Sequence, residues 1–168
     1  MPDDEGWYIL QSDIFAMDKE QLLRPTERAQ LELLSRIWTC TRCPEGRVLS
    51  VKRGRRGPVD EWSTIQFTDV PVISPRIARF FAGAAAEQVQ ILSVAIDETL
   101  SDRVALNILR AVDGMATFHD PQNQIAPNIF RAITSTTIVN RLLQERLVEI
   151  NPSGMEIRPY RFAEHWPS

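Results

Sequence analysis

Cysteine, histidine and lysine are all scarce in this 168-residue chain, and the first two scarcities narrow what the protein can be. Two cysteines cannot build a disulfide scaffold, and a domain of this length does not need one. Two histidines, His119 and His165, leave acid–base chemistry short of the residue it most often recruits. No apolar run approaches the roughly 18 residues of a membrane helix. The opening Met1-Pro2-Asp3-Asp4-Glu5 is acidic where a secretory signal is basic and then apolar, so the expected compartment is the cytoplasm. Hydrophobic residues make up 43% and charged residues 24%, proportions that exclude disordered, collagen-like and coiled-coil classes. The length fits one domain with a sizeable core.

What is present is an uneven charge distribution. Net charge is −3 overall. Residues 1–35 sum to −5, residues 36–58 to +6 and residues 59–168 to −4. All basic residues except Lys19 and Lys52 are arginine. A basic island between acidic flanks either docks a partner or is neutralised by those flanks. The acidic total argues against a dedicated nucleic-acid binder.

The pattern of apolar residues points to alternating strands and helices. Trp7-Tyr8-Ile9-Leu10 suits a first strand. Pro25 is expected to open a helix, whose stripe Ala29, Leu33, Leu34, Ile37 and Trp38 reads as core. Residues 47–52 and 62–67 alternate, with Leu49 and Val51, then Ile65 and Phe67, on one face. The turn-rich Arg53-Gly54-Arg55-Arg56-Gly57-Pro58 between them predicts a hairpin with a cationic tip. Ser74-Pro75 starts a second helix, with Ile77, Phe80, Phe81 and Ala84 as its apolar stripe. Strands are expected at Val89–Val94 and Val104–Val112, a loop over 113–128, and a short strand over Ile129–Ala132. Ser135 is expected to cap a third helix carrying Ile138, Val139, Leu142, Leu143 and Leu147. Asn151-Pro152-Ser153-Gly154 ends it, and Met155–Tyr160 forms a last strand. Segments 72–94 and 137–160 share a plan, with Arg76-Ile77 matched to Arg141-Leu142 and strands opening at Val89 and Met155. The expected fold is therefore α+β: a mostly antiparallel sheet, about three helices and a pseudo-duplicated helix–strand unit. Because the predicted hairpin spans any N-terminal boundary, residues 1–168 are expected to form a single domain.

Catalytic signatures are missing. There is no nucleophile elbow, phosphate loop, dinucleotide fingerprint or paired-histidine zinc motif. His119 lies in Phe118-His119-Asp120-Pro121, where the His-Asp neighbours read as solvated surface. The one spacing with chemical content is Cys40-Thr41-Arg42-Cys43, which resembles half of a zinc knuckle. Completing such a site with Cys or His would require both remote histidines to converge, so no metal and no cofactor is expected. A redox pair should open a helix after a strand, whereas this one follows a predicted helix. The simplest reading is two reduced thiols in a turn.

Three segments resemble a known family in their order and spacing: Val70-Pro71-Val72-Ile73-Ser74-Pro75-Arg76-Ile77, Val89-Gln90-Ile91-Leu92-Ser93-Val94, and Ala105-Leu106-Asn107-Ile108-Leu109-Arg110-Ala111-Val112-Asp113. Ile129-Phe130-Arg131 and Thr137 to Tyr160 continue the pattern. Together they are similar to the myxobacterial-type immunity proteins of bacterial polymorphic toxin systems. The match covers roughly residues 65–160, with residues 1–67 expected to pack onto that region; the Cys turn and the Arg-rich tip lie outside the pattern. The resemblance implies a cytoplasmic protein without catalytic residues that neutralises a cognate toxin by stoichiometric contact. Candidate contacts are Arg53, Arg55 and Arg56 at the tip and Phe118 and His119 in the 113–128 loop, since loops on a rigid scaffold are free to vary with the partner. The rivals are a nucleic-acid-associated module using Arg47, Lys52, Arg53, Arg55 and Arg56, and a small enzyme with an unrecognised site. Few aromatics interleave with those arginines for base stacking, which weighs against the former.

Overall fold

The computed structural model describes residues 6–12, 23–25, 30–54, 59–65, 70–112, 129–132 and 136–160. Among these, eleven strands and three helices follow one another as β1 (Trp7–Ser12), β2 (Leu23–Pro25), α1 (Gln30–Trp38), β3 (Val48–Arg53), β4 (Trp62–Ile65), β5 (Val70–Ile73), α2 (Pro75–Ala84), β6 (Val89–Ile96), β7 (Thr99–Ile108), β8 (Ala111–Val112), β9 (Ile129–Ala132), β10 (Thr137–Asn140), α3 (Arg141–Ile150) and β11 (Met155–Pro159). Strands β2-β3-β6-β7-β5-β4 close into a barrel, and β11-β1-β10-β9-β8 form a second, five-stranded sheet. Pairing is mostly antiparallel, so the class is α+β; β2 with β4, β3 with β6 and β8 with β9 are parallel.

Strand alternation divides the apolar residues between two cores. Leu49, Val51, Ile65, Val70, Val72, Leu92, Val94 and Ala105 belong to one cluster, and α1 contributes Leu33, Leu34 and Ile37 to it. The opposite faces of the same strands supply Trp62, Ile73, Leu106 and Ile108 to a second cluster. There they meet Phe80 and Phe81 of α2, Leu143 and Leu147 of α3, and Leu10, Ile129 and Val139 of the five-stranded sheet. Strand β7 is buried on both faces, from Ala105 to Ile108, because it stands between these cores.

The pseudo-duplication is a topological fact. In β5–α2–β6 the two strands flank β7, antiparallel to both. In β10–α3–β11 they flank β1 in the same way. Each is a split βαβ unit. Both helices are N-capped by a side chain: Ile77 N donates to Ser74 Oγ at 3.3 Å, and Leu143 N donates to Asn140 Oδ1 at 3.0 Å. One constant offset relates Ser74 to Asn140, Ile77 to Leu143, Phe81 to Leu147 and Val89 to Met155. The expected match of Arg76-Ile77 to Arg141-Leu142 is thus out by one residue. Ile77 and Leu143 are buried, whereas Leu142 is 60% exposed.

Other expectations are also corrected. Residues 47–52 and 62–67 do not form a hairpin: β2 lies between β3 and β4, pairing with both. Pro25 ends β2 and does not open a helix; α1 begins at Gln30. Strand β7 runs from Thr99 to Ile108, and two residues separate it from β8, which belongs to the other sheet. Thr137–Asn140 is a strand, so Asn140 caps α3 in the role expected of Ser135, which lies outside the described residues. Ala29, Phe67 and the 113–128 loop are likewise outside them.

One polar node ties the two units together. Glu61 accepts from Ser74 Oγ at 2.9 Å and from Arg76 Nε at 3.0 Å, and Arg76 Nη1 reaches Ile150 O at the end of α3. Hydrogen bonding from Arg76, reinforced by Ser74, holds the Glu61 carboxyl at about 2 despite partial desolvation. Nearby, Arg146 sits over the Phe80 ring at 5.1 Å, a cation–π contact between α3 and α2.

Candidate protein-binding face

Helix α1 has two apolar faces. Leu33, Leu34 and Ile37 point into the barrel core. About 100° around the axis, Leu31 and Trp38 are seven residues apart, nearly two turns, and share a side. They are 55% and 52% exposed. With Leu34, Ser35 and Thr39 they line a shallow groove of about 300 Å³ whose surface is almost wholly apolar. Trp38 therefore does not join the core stripe, as its periodicity had implied.

The Cys-x-x-Cys turn holds this helix end in place. Cys40 has a left-handed backbone (φ 55°); its N–H donates to Ile37 O at 3.1 Å, and Thr41 N–H donates to Arg36 O at 2.8 Å. These are the two bonds of a Schellman C-cap, with cysteine at the position glycine usually takes. Three residues on, the Gln90 amide grips the Cys43 backbone twice: Cys43 N donates to Oε1 at 2.8 Å, and Nε2 donates to Cys43 O at 2.9 Å. Fully buried Asn107 donates from Nδ2 to Thr41 O at 2.9 Å and to Gln90 Oε1 at 3.0 Å. Buried Arg131 donates from Nη1 to Ile37 O at 3.1 Å, placing a cation at the negative end of the helix. The turn is thus a structural splice between α1 and strands β6, β7 and β9. Asn107 and Arg131 lie in the family-like segments, yet nothing local in the sequence shows that both reach this turn.

That geometry bears on the zinc reading. Cys43 Sγ is buried and lies 3.9 Å from Leu33 O. Burial pushes its thiol up, against the opposing pull of Arg36 and Arg47, whereas a metal ligand must be a thiolate. Among the described residues no three His, Cys, Asp or Glu gather around one point. His119 and His165 lie outside them.

The groove lining itself holds no cation; Arg36 turns to another side of α1, where its Nε lies 3.8 Å from Glu32 Oε1. Arg36 Nη1 donates to Arg42 O at 3.4 Å, and both Arg36 and Arg47 act electrostatically on Cys43. Arg42 and Arg47 are exposed. The apolar groove therefore sits beside the basic island rather than at its predicted tip.

Of the expected contact residues, only Arg53 is among those described; Arg55, Arg56, Phe118 and His119 are not. Arg53 is engaged with Asp97: its N–H donates to Oδ1 at 3.0 Å and its Nε to Oδ2 at 2.8 Å. The Arg53 side chain, then its backbone N–H, hold the Asp97 carboxyl below its ordinary value. Asp97 and Glu98 are both left-handed (φ 51° and 68°), forming the tight β6–β7 turn. An open cleft of about 940 Å³ lies along this turn, with Leu100 68% exposed in its lining. Its cations are occupied, since Arg103 also donates to Val59 O at 2.8 Å and Asp60 O at 3.1 Å. The described lining pairs no nucleophile with a base. Among the described residues no helix is long and apolar enough to cross a membrane.

No protein-family model matches the chain, and no curated protein matches it.

Proposed function

We propose that this chain is an immunity-type protein that neutralises a cognate bacterial toxin in the cytoplasm by forming a stoichiometric complex, without turnover. The observation that carries this reading is the exposed Leu31–Trp38 face on a helix clamped at its C-terminal end. Binding energy in protein interfaces concentrates in a few aromatic and Arg anchors that become fully desolvated. Here a half-exposed tryptophan stands on a helix whose C-terminal turn is held by Gln90, Asn107 and Arg131. The fitting partner is a protein with an apolar pocket for Trp38 and Leu31 and acidic groups that answer the +6 charge of residues 36–58, since opposite potentials steer encounter. The resemblance of residues 65–160 to immunity proteins supports the same reading. Its segments build β5, β6 and β7, against which the clamped helix packs, and α2 in the other core.

The test is co-purification with the product of the neighbouring gene. A complex at one copy per toxin is expected. Trp38→Ala should weaken it by about 2 kcal/mol, roughly 30-fold. Trp38 is 52% exposed, so the same change should cost folding about 1–2 kcal/mol and leave the protein folded. Protection at far below one copy per toxin, or a complex indifferent to Trp38→Ala and Leu31→Glu, would overturn the proposal.

A further inference from the structure

The two sheets differ in how they end. The barrel closes on itself, while β11 has β1 as its only strand neighbour among the described residues. The register with β1 fixes which backbone groups face outward. Tyr160 N donates to Trp7 O at 2.8 Å, and the pairs Ile9↔Arg158 and Gln11↔Glu156 continue the same phase. Hydrogen-bonded and non-hydrogen-bonded pairs alternate along an antiparallel ladder. Glu156 and Arg158 therefore turn their N–H and C=O groups toward β1, and Met155, Ile157 and Pro159 turn theirs away. Pro159 is placed accordingly, since the N–H it lacks belongs to the outer side.

We propose that β11 is the contact of a two-fold symmetric homodimer, in which two copies join their five-stranded sheets edge to edge, antiparallel, about Ile157. In this register the two Ile157 residues exchange both N–H···O=C bonds. Each Met155 N–H meets the Pro159 carbonyl of the other copy, so the proline costs an acceptor's partner and never blocks a donor. The side chains choose the same register. Glu156 and Arg158 lie on one face, and within the chain Arg158 Nε already donates to Glu156 Oε1 at 2.8 Å. About Ile157, Glu156 of each copy falls opposite Arg158 of the other, in the closely spaced non-hydrogen-bonded position. Opposite charges stabilise such cross-strand pairs and like charges destabilise them. A charged edge ordinarily discourages pairing with other chains; this one is complementary to itself, which selects a second copy as its partner.

The test is sedimentation equilibrium over a concentration series, with circular dichroism and thermal melts as a check of folding. The wild type should show a monomer–dimer equilibrium. Ile157→Pro removes an N–H that points away from β1, so it should abolish association and leave the intramolecular ladder intact. Glu156→Arg alone and Arg158→Glu alone each set like charges opposite one another twice, and should weaken association at least about tenfold. Mixed together, these two single variants present only opposite pairs and should form a heterodimer; the double reversal should restore the homodimer. A wild type monomeric to about 1 mM overturns the proposal. So does a dimer untouched by Ile157→Pro and by both single reversals. Single variants that fail to associate on mixing overturn the register. If Ile157→Pro does not fold, the charge reversals decide the matter alone.

Discussion

In the first split βαβ unit the returning strand, β6, is hydrogen-bonded on both sides, by β3 and β7; in the second, the returning strand β11 has only β1 beside it among the described residues. The helices between are built alike, with capped starts and equivalent buried positions, and both press into one core. The unit therefore specifies its own crossover and cap but not the fate of its last strand. In the first unit a strand from the N-terminal third completes a barrel around β6, and Val89, Leu92, Val94 and Ile96 of β6 are buried. In the second no described strand does this, and β11 runs from half-buried Met155, Glu156 and Ile157 to exposed Arg158 and Pro159. The protein thus has one copy of the unit closed for stability and one open for association.

The comparison can be broken most severely in the shared core. Phe81→Ala should cost about 3–5 kcal/mol and Leu147→Ala about 2–5 kcal/mol in denaturant titrations, since both side chains are fully buried. Because both units feed the same cluster, fluorescence and circular dichroism should report a single coincident transition. Separate transitions would show that the units fold apart.

A smaller effect distinguishes the turns that precede the two returning strands. Gly154 has φ +77°, and a Cβ there would lie 2.5 Å from Asp60 Cβ and 2.7 Å from Trp62 O. Gly154→Ala should therefore cost about 2–4 kcal/mol through backbone strain and overpacking. The equivalent Gln88→Ala should cost about 1 kcal/mol, the loss of its hydrogen bond from Ile129 N. Equal effects in equilibrium unfolding would remove the asymmetry.

The caps come next. Asn140→Ala should cost about 1 kcal/mol and Ser74→Ala up to about 2 kcal/mol, because Ser74 Oγ also donates to Glu61. The smallest effect is pH dependence at Glu61. Its carboxyl titrates at about 2 in the folded protein, below its ordinary value of 4.5. A depressed acid contributes stability above its unfolded value and loses it as pH falls toward the folded one. Melting points of wild type and Glu61→Gln should thus differ above about pH 4.5 and converge as pH approaches 2. With the partner Arg76 half exposed, the difference should be about 1 kcal/mol or less.

How much of this was legible follows from the range of the interactions involved. Ser74-Pro75, the stripe of Ile77, Phe80 and Phe81, and the Asn151-Pro152-Ser153-Gly154 stop act within a few residues and could be read directly. Val89 and Met155 were correctly placed as strand starts. The hairpin reading of 47–67 failed because alternation gives a strand but not its neighbour, and β2 from residues 23–25 takes the place between β3 and β4. Trp38 was misassigned because a short helix with apolar residues on two faces has a stripe wide enough to include it. Two separate clusters, Leu33-Leu34-Ile37 and Leu31-Trp38, were the signal that could have divided them.

By itself the sequence determined the α+β class, the caps, the strand periodicities and the repeated helix–strand plan, since these arise from contacts between residues that are close along the chain. The tertiary structure alone decided that β3 lies parallel to β6, that Gln90 and Asn107 grip the Cys40–Cys43 turn, that Arg131 meets the end of α1, and that one apolar face of that helix stays in solvent. Each of these depends on closing a long loop, and which distant segment makes the closure is set by the packing of the whole core rather than by any local pattern.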